Sequence, residues 1–106
     1  MPTAKGDPGR LTEAAFQRQV LDLAKLCGYR AYHTHDSRRS QPGFPDIVLV
    51  NPKRRHTLFV ELKTDVGRVT AAQQAWIDDL RRAGANVHLW RPADWTAIVE
   101  ILGAGR

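Results

Sequence analysis

The sequence has few of the features that stabilise secreted proteins or hold proteins in membranes. Its one cysteine, Cys27, cannot form a disulfide within the chain and lies in an apolar helical pattern, which favours a position in the core. No segment approaches the roughly 20 apolar residues of a spanning helix, so a membrane is not an expected partner. The start MPTAKGDPGR also lacks the apolar run of a signal peptide, and a cytoplasmic location is the default expectation.

Acidic residues are the minority among the charged side chains. The 106 residues include 16 Lys and Arg against 11 Asp and Glu, which gives a formal net charge of +5. A basic chain favours an anionic partner, and nucleic acid is the leading candidate, although many basic proteins have no such partner. The sequence contains no repeat and no low-complexity tract, and its 42% apolar content is that of a globular protein, which argues against wholesale disorder.

The apolar patterns predict one α/β domain behind a short tail. Residues 1–10 hold two prolines and two glycines and predict a flexible N-terminal tail, whereas residues 11–106 are expected to form a single domain. Helical spacing, β-branched runs and turn residues indicate the order α-β-β-β-α-β-α. The helix between the third and fourth strands is a crossover, so these strands should be parallel within a mixed sheet.

Several local expectations follow from the same patterns. The continuous apolar run Ile47–Val50 predicts an interior strand covered on both faces, and Leu58–Lys63 would run back beside it as a hairpin. The stretch Thr70–Gln73 matches a capping box that opens a helix. The inward residues of that helix would be Ala72, Trp76, Ile77 and Leu80. A last helix over Pro92–Leu102 would have as its inward residues Trp95, Ile98, Val99 and Leu102.

Two acids and a lysine lie in or beside the hairpin strands. Side chains alternate along a strand, so Glu61 and Lys63 share one face while Leu62 points to the other. Asp46 stands at the start of the preceding strand, and a register that sets it opposite Glu61 or Lys63 would bring all three side chains to one edge of the sheet. A shift of one residue would separate them.

This arrangement would concentrate negative charge. Two carboxylates about 4 Å apart repel by about 4 kcal/mol at an effective dielectric near 20. A hard divalent cation offsets that repulsion, and Mg²⁺ typically takes one or two protein carboxylates together with water and substrate phosphate. On a basic protein such a site suggests phosphodiester hydrolysis. The same residues also fit a solvated ion pair on a strand and an ordinary Pro-Asp turn.

The motif string resembles a known nuclease superfamily. GFPD, fourteen intervening residues and then ELK resemble the signature of the PD-(D/E)XK nucleases. More narrowly, GFPDIV, FVELKT, GRVTAAQQAW and GANV resemble the VRR-NUC family, including its small stand-alone phage and bacterial members, over about residues 11–92. The implied fold is a restriction-endonuclease-like αβββαβ core with a mixed central sheet flanked by helices. No V-R-R triplet occurs, and Leu89-Trp90-Arg91 stands roughly in its place, which leaves the role of Arg91 open.

The resemblance implies a Mg²⁺- or Mn²⁺-dependent DNA endonuclease, selective for branched DNA such as a Holliday junction. The implied catalytic residues are Asp46, Glu61, Lys63 and Gln73. The implied metal ligands are Glu13, Asp46, Glu61 and the backbone carbonyl of Leu62. Glu13 also suits a first helical turn, where an acid complements the helix dipole, and Gln73 also suits the capping box.

The same resemblance implies a homodimer, because stand-alone members of the family resemble archaeal Holliday-junction resolvases. Cutting a four-way junction symmetrically needs two active sites, and a chain of this size offers one. Trp90 or Trp95 would serve either as a dimer contact or as part of the core. A non-catalytic DNA-binding or assembly module of a phage or mobile-element complex is the alternative function for the same fold.

Two basic segments fall in predicted loops and are expected to flank the acids. Their proposed DNA-binding residues are Arg38, Arg39 and Ser40 in the first loop and Lys53, Arg54 and Arg55 in the second, although a charge run often forms only a solvated face. His33 and His35 have no Cys or third His at ligand spacing, which argues against a zinc site.

Overall fold

The computed structural model describes residues 11–34 and 41–103. The predicted tail over residues 1–10 and the proposed DNA-binding residues Arg38, Arg39 and Ser40 lie outside these ranges. The helices and strands are α1 (Glu13–Leu26), β1 (Arg30–His33), β2 (Ile47–Asn51), β3 (His56–Leu62), α2 (Ala71–Arg82), β4 (Val87–Trp90) and α3 (Trp95–Gly103). This is the predicted order. Within the described ranges, no helix is both long enough and apolar enough to cross a membrane.

The four strands form one mixed sheet in the order β1-β2-β3-β4. The two hairpins β1-β2 and β2-β3 are antiparallel, whereas β3 and β4 are parallel. A parallel pair needs a crossover connection, and α2 supplies it. The predicted mixed sheet flanked by helices is therefore confirmed.

Side-chain caps define where α1 and α2 begin. The Thr12 hydroxyl accepts a hydrogen bond from the backbone N–H of Ala15 at 3.1 Å. At α2 the predicted capping box is present: Thr70 Oγ1 accepts from the Gln73 N–H at 3.1 Å, and Gln73 Oε1 accepts from the Thr70 N–H at 2.9 Å. These bonds satisfy N–H groups that have no partner within the helix.

The main core lies between one face of the sheet and the helices α1 and α3. Its helical residues are Phe16, Val20 and Ala24 of α1 and Ile98 and Leu102 of α3. Its strand residues are Ile47, Leu49, Leu58, Val60, Leu62 and Trp90. Burying each large apolar side chain contributes about 1.5 to 3 kcal/mol. Cys27 and Trp90 belong to this core, and Trp95 packs against it.

The second face of the sheet is covered only in part, so the expectation that β2 is covered on both faces is wrong. Along β2 the side chains alternate, with Leu49 buried and Val50 37% exposed. On this second face the Phe44 ring contacts the rings of Phe59 and Trp76, with centroids 6.1 and 5.0 Å away, and thereby links β3 to α2. Because α2 connects β3 to β4 and packs beside β4, at the opposite edge of the sheet from β1, its cover does not extend to the β1 side.

Two predicted helix faces also need correction. In α2, Ile77 is buried and Trp76 half-buried, but Ala72 is exposed. In α3, Val99 is 40% exposed, and Ile101 packs partly against the core instead. The residues that α3 buries fully, Ile98 and Leu102, are four apart and form a narrow stripe, so the position after Ile98 points away from it.

Candidate active site

The hairpin register brings the two acids and the lysine together. Ile47 pairs with Val60, which sets Asp46 opposite Glu61 at the next position. Asp46 Oδ2 accepts a hydrogen bond from the Leu62 backbone N–H at 2.9 Å. Lys63 Nζ lies 3.9 Å from Glu61 Oε2. The structure therefore has the register that sets Asp46 opposite Glu61. The three side chains meet where β2 begins and β3 ends.

Glu61 is the most unusual residue of this group. It is 1% exposed, and its Oε1 atom has no hydrogen-bond partner among the described residues. Buried polar atoms in folded proteins almost always have a partner, and one that lacks it costs about 1 to 3 kcal/mol. The carboxylate oxygen without a partner therefore indicates a position at which a proton or a cation would bind.

The electrostatics of the site favour a bound proton or cation. Burial, followed by the negative charge of Asp46, raises the pKa of Glu61 to about 8, while Lys63 opposes the shift. Burial also raises the pKa of Asp46, although the hydrogen bond from Leu62 N–H and the charge of Lys63 act against it. These shifts favour the protonated form of Glu61 at neutral pH, in which the carboxyl could donate a hydrogen bond to Asp46.

Glu13 is near this pair without being part of it. Burial and the charge of Asp46 raise the pKa of Glu13, and Glu13 in turn raises that of Glu61. Across the described residues, no group of three His, Cys, Asp or Glu side chains is close enough to hold one metal ion. The hairpin register makes Asp46 and Glu61 a pair of possible ligands, and Glu13 does not complete a group of three with them.

Gln73 and Glu13 line one cavity beside the acids. This cavity of about 410 Å³ is also bordered by Thr34, Asp46 and Phe44. The Gln73 carboxamide oxygen is used by the capping box, so its N–H groups are the part of the side chain that can donate toward the cavity. The capping function of Gln73 is thus established, and a function toward substrate remains a prediction.

Gly43 fixes how the loop before β2 approaches α2. It has φ +90, and a Cβ atom there would lie 2.5 Å from the carbonyl carbon of Ala72. Only glycine permits both this backbone conformation and this close approach. The G of the GFPD string thus places the Pro45-Asp46 segment against the first turn of α2.

The second basic segment lies elsewhere than expected. Lys53, Arg54 and Arg55 form the turn between β2 and β3, at the opposite end of the hairpin from Asp46 and Glu61. Five residues of strand separate the two ends, or about 17 Å. The expectation that this turn flanks the acids is wrong, because a hairpin places its turn at the far end from its open termini.

Arg54 has a structural function at that far end. Its Nη1 donates to Tyr29 Oη at 2.6 Å and to the Leu102 carbonyl at 2.9 Å, and its Nη2 donates to the Ile101 carbonyl at 3.1 Å. The guanidinium thereby satisfies carbonyls in the last turn of α3 and lies over the Tyr29 ring, 5.6 Å from its centroid. Composition alone could not separate this arginine from its exposed neighbours.

Arg91 makes hydrogen bonds that the sequence did not predict. Its Nη1 donates to the carbonyls of Thr64 and Gly67 at 2.7 and 2.8 Å, and its backbone N–H donates to Asp94 Oδ2 at 2.8 Å. The side chain therefore ties the loop that follows Lys63 to the end of β4. The only sequence signal was its position directly after that strand.

Comparison with known sequences gives a consistent set of relatives. The VRR-NUC domain family matches residues 5–93 of this chain. The Fanconi-associated nuclease 1 of Ailuropoda melanoleuca is 37% identical over 54 residues, 51% of this chain and 5% of that protein. Its homolog from Schizosaccharomyces pombe is 36% identical over 56 residues, 53% of this chain and 8% of that protein. The matched region is thus a small part of each of these relatives.

Solved structures of similar fold include a VRR_NUC domain and a Holliday junction resolvase. A structure described as a VRR_NUC domain has a TM-score of 0.71 and 19% identity, and the alignment covers 89% of this chain and 97% of that one. Hjc from Archaeoglobus fulgidus, described as a Holliday junction resolvase from an archaeal hyperthermophile, has a TM-score of 0.54 and 26% identity. That alignment covers 74% of this chain and 67% of Hjc. The sheet and its flanking helices therefore form a nuclease-type fold.

Proposed function

Because this chain belongs to the VRR-NUC domain family, we propose that it is a metal-dependent DNA endonuclease that hydrolyses phosphodiester bonds at the edge formed by Asp46, Glu61 and Lys63. The observation that carries the proposal is the orphan oxygen Oε1 of Glu61, a buried side chain that lies beside the Asp46 carboxylate and whose other oxygen, Oε2, is 3.9 Å from the Lys63 ammonium group. Two buried carboxyl groups side by side repel each other when both are ionised, and catalytic sites are where such arrangements occur.

The residues present fit a hard divalent cation such as Mg²⁺ or Mn²⁺. Asp46 and Glu61 would supply carboxylate oxygens, and the Leu62 carbonyl would add a neutral one. Glu13 would act through a water molecule, because it stands outside the pair. A cation held by these residues would supply positive charge for the scissile phosphate and would lower the pKa of a bound water.

The remaining functions belong to side chains of this chain. Lys63 donates hydrogen bonds from its ammonium group to the attacking water or to the developing negative charge on phosphate. Gln73 donates from its carboxamide N–H to a phosphate oxygen while its carbonyl oxygen keeps the capping box. The Leu62 backbone N–H fixes the orientation of Asp46. Leu62 lies in β3, Gln73 lies in α2, and the Lys63 N–H directly after β3 donates to the Trp90 carbonyl at 3.0 Å, so the backbone of the site is organised before substrate binds.

We further propose selectivity for branched DNA and action as a homodimer. Support comes from the structural similarity to Hjc, which its description names as a Holliday junction resolvase, and from the need for two active sites to cut a four-way junction symmetrically. The chain spans less than a tenth of the curated relatives it matches. The names of those longer proteins therefore support a nuclease, whereas the branched substrate and the homodimer are part of our proposal.

A cleavage panel tests the function. Supercoiled, flap and four-way-junction DNA are incubated with Mg²⁺ or Mn²⁺, with and without chelator, and molecular mass is measured by light scattering. We expect cleavage that chelator abolishes and that Lys63→Ala or Glu61→Gln reduces by at least about a hundredfold, with DNA binding retained. Absence of cleavage by the wild type on every substrate would favour the non-catalytic DNA-binding module.

A further inference from the structure

One half of the sheet face that carries the acids is open. Two rows of paired residues continue this face toward the other end of the sheet. The first row holds Tyr32, Val48 and Phe59, and the second holds Arg30, Val50 and Thr57. Paired residues point to the same side of a sheet, so both rows share the face of Asp46 and Glu61. Tyr32 is 63% exposed, and Arg30 is exposed beside it.

The chemistry of these rows is aromatic and basic. Neither row contains an acid, and Arg30 supplies a guanidinium two residues before Tyr32 on the same face. The Phe59 end of the first row is covered by Phe44, whereas the Tyr32 end is not. An accessible ring with a nearby cation matches the surface that proteins use for single-stranded nucleic acid, where bases stack on aromatic side chains along a basic groove.

The rows lie close enough to the acids to contact the same DNA strand. Thr34 continues β1 beside Asp46, since its N–H donates to the Asp46 carbonyl at 3.3 Å. The Tyr32 row is then two residues, or about 7 Å, from the acidic row, and Arg30 is about 14 Å from it. Phosphates follow each other about every 3.4 Å of helix axis along one strand of duplex DNA, so these distances correspond to a few nucleotides.

We propose that this open half of the sheet face binds the DNA strand that enters the acidic edge, with an unpaired base stacked on Tyr32 and a phosphate held by Arg30. The inference rests on the proposed function and adds a substrate class to it: DNA that is unpaired within a few nucleotides of the cut. A base inside a duplex is stacked on both sides, so only an unpaired base can offer its face to the tyrosine ring.

Fluorescence anisotropy in chelator measures the binding without cleavage. The probes are fluorescein-labelled oligothymidylate and a labelled blunt duplex, and the variants are Tyr32→Ala, Tyr32→Phe and Arg30→Ala. Arg82→Ala is the control, because it removes an exposed cation from the last turn of α2, which packs beside β4 at the opposite edge of the sheet from β1. Circular dichroism checks that each variant is folded, and light scattering records its mass.

We expect Tyr32→Ala to weaken oligothymidylate binding by about fivefold to 150-fold, the range that stacking on an aromatic side chain spans, and to leave duplex binding within twofold. Tyr32→Phe keeps the ring and should bind as the wild type does. Arg30→Ala should reduce the slope of log affinity against log salt by about 0.7 on the single strand, whereas Arg82→Ala should not.

The inference is overturned if Tyr32→Ala binds both probes within twofold of the wild type, or if it converts a dimer to a monomer, since the face would then join two copies of the chain. Its failure is distinct from failure of the proposed function. A wild type that cleaves without dependence on Tyr32 refutes only the strand-binding face. A wild type that never cleaves but binds oligothymidylate through Tyr32 refutes only the nuclease.

Discussion

Replacing Glu61 with glutamine should stabilise the metal-free protein while removing its activity. Glutamine keeps the size of the side chain and can donate a hydrogen bond to Asp46, as the protonated glutamic acid does, but it cannot ionise. The folded state raises the pKa of Glu61 from its ordinary value of 4.5 to about 8. Between these two values the folded protein holds a proton that the unfolded chain releases, so stability falls as pH rises through this window.

The expected size of the effect follows from the pKa shift. A difference of one pKa unit corresponds to about 1.36 kcal/mol. The penalty for wild-type Glu61 therefore grows from about 1 kcal/mol at pH 5 to about 3 kcal/mol at pH 7, and it approaches 5 kcal/mol above pH 8. In a domain of about 100 residues, each kcal/mol corresponds to a change of roughly 4 to 8 °C in Tm.

Thermal and urea unfolding between pH 5 and pH 9 in chelator measures this effect. The difference in unfolding free energy between Glu61→Gln and wild type should increase by about 4 kcal/mol across that range, in favour of the variant. Glu100→Gln makes the same chemical change at an exposed position of α3 and is the matched control. If the wild type and Glu61→Gln lose stability in parallel as pH rises, the buried acid pair is not strained and the reasoning is refuted.

Three further predictions concern metal binding, Arg54 and Gly43. Mg²⁺ or Mn²⁺ at about 100 times its Kd should raise the unfolding free energy of the wild type by about 2.7 kcal/mol at pH 8 and that of Glu61→Gln much less; equal shifts in a thermal scan would place the metal elsewhere. Arg54→Met removes three hydrogen bonds and should lower the free energy of unfolding in urea by about 2 to 4 kcal/mol, whereas Lys53→Met should change it by less than about 0.5 kcal/mol. Similar losses in the two variants would contradict the capping of α3 by Arg54. Gly43→Ala should destabilise by more than Gly84→Ala, which shares a positive φ but has no atom within 4 Å of the added Cβ; equal losses would show that the contact with α2 is unimportant.

The order of elements and the grouping of the two acids with the lysine could be predicted from local patterns. Capping residues, the crossover helix and the alternation of side chains along β3 predicted the mixed sheet and placed Glu61 and Lys63 on one face, as the structure shows. These features depend on neighbours within a few residues, and the period of a strand or helix is enough to fix them.

Local patterns did not predict which parts of the sheet faces are covered by helices. The apolar run of β2 predicted burial on both sides, yet Val50 is 37% exposed because α2 covers only the β3-β4 side of that face. The extent of that cover depends on where a distant helix packs, and no periodicity within β2 contains that information. The exposed Tyr32 on β1 was likewise invisible until the register placed it beside the acids.

The sequence by itself determined which acids and which lysine this protein brings together, because strand alternation and a hairpin leave few ways to arrange Asp46, Glu61 and Lys63. Only the tertiary structure decided what the arginines do. Arg54 and Arg91 bind backbone carbonyls remote in sequence, at the end of α3 and in the loop after Lys63. A guanidinium has the same charge in a cap as on a DNA-binding surface, so its function depends on the acceptors that folding brings within reach.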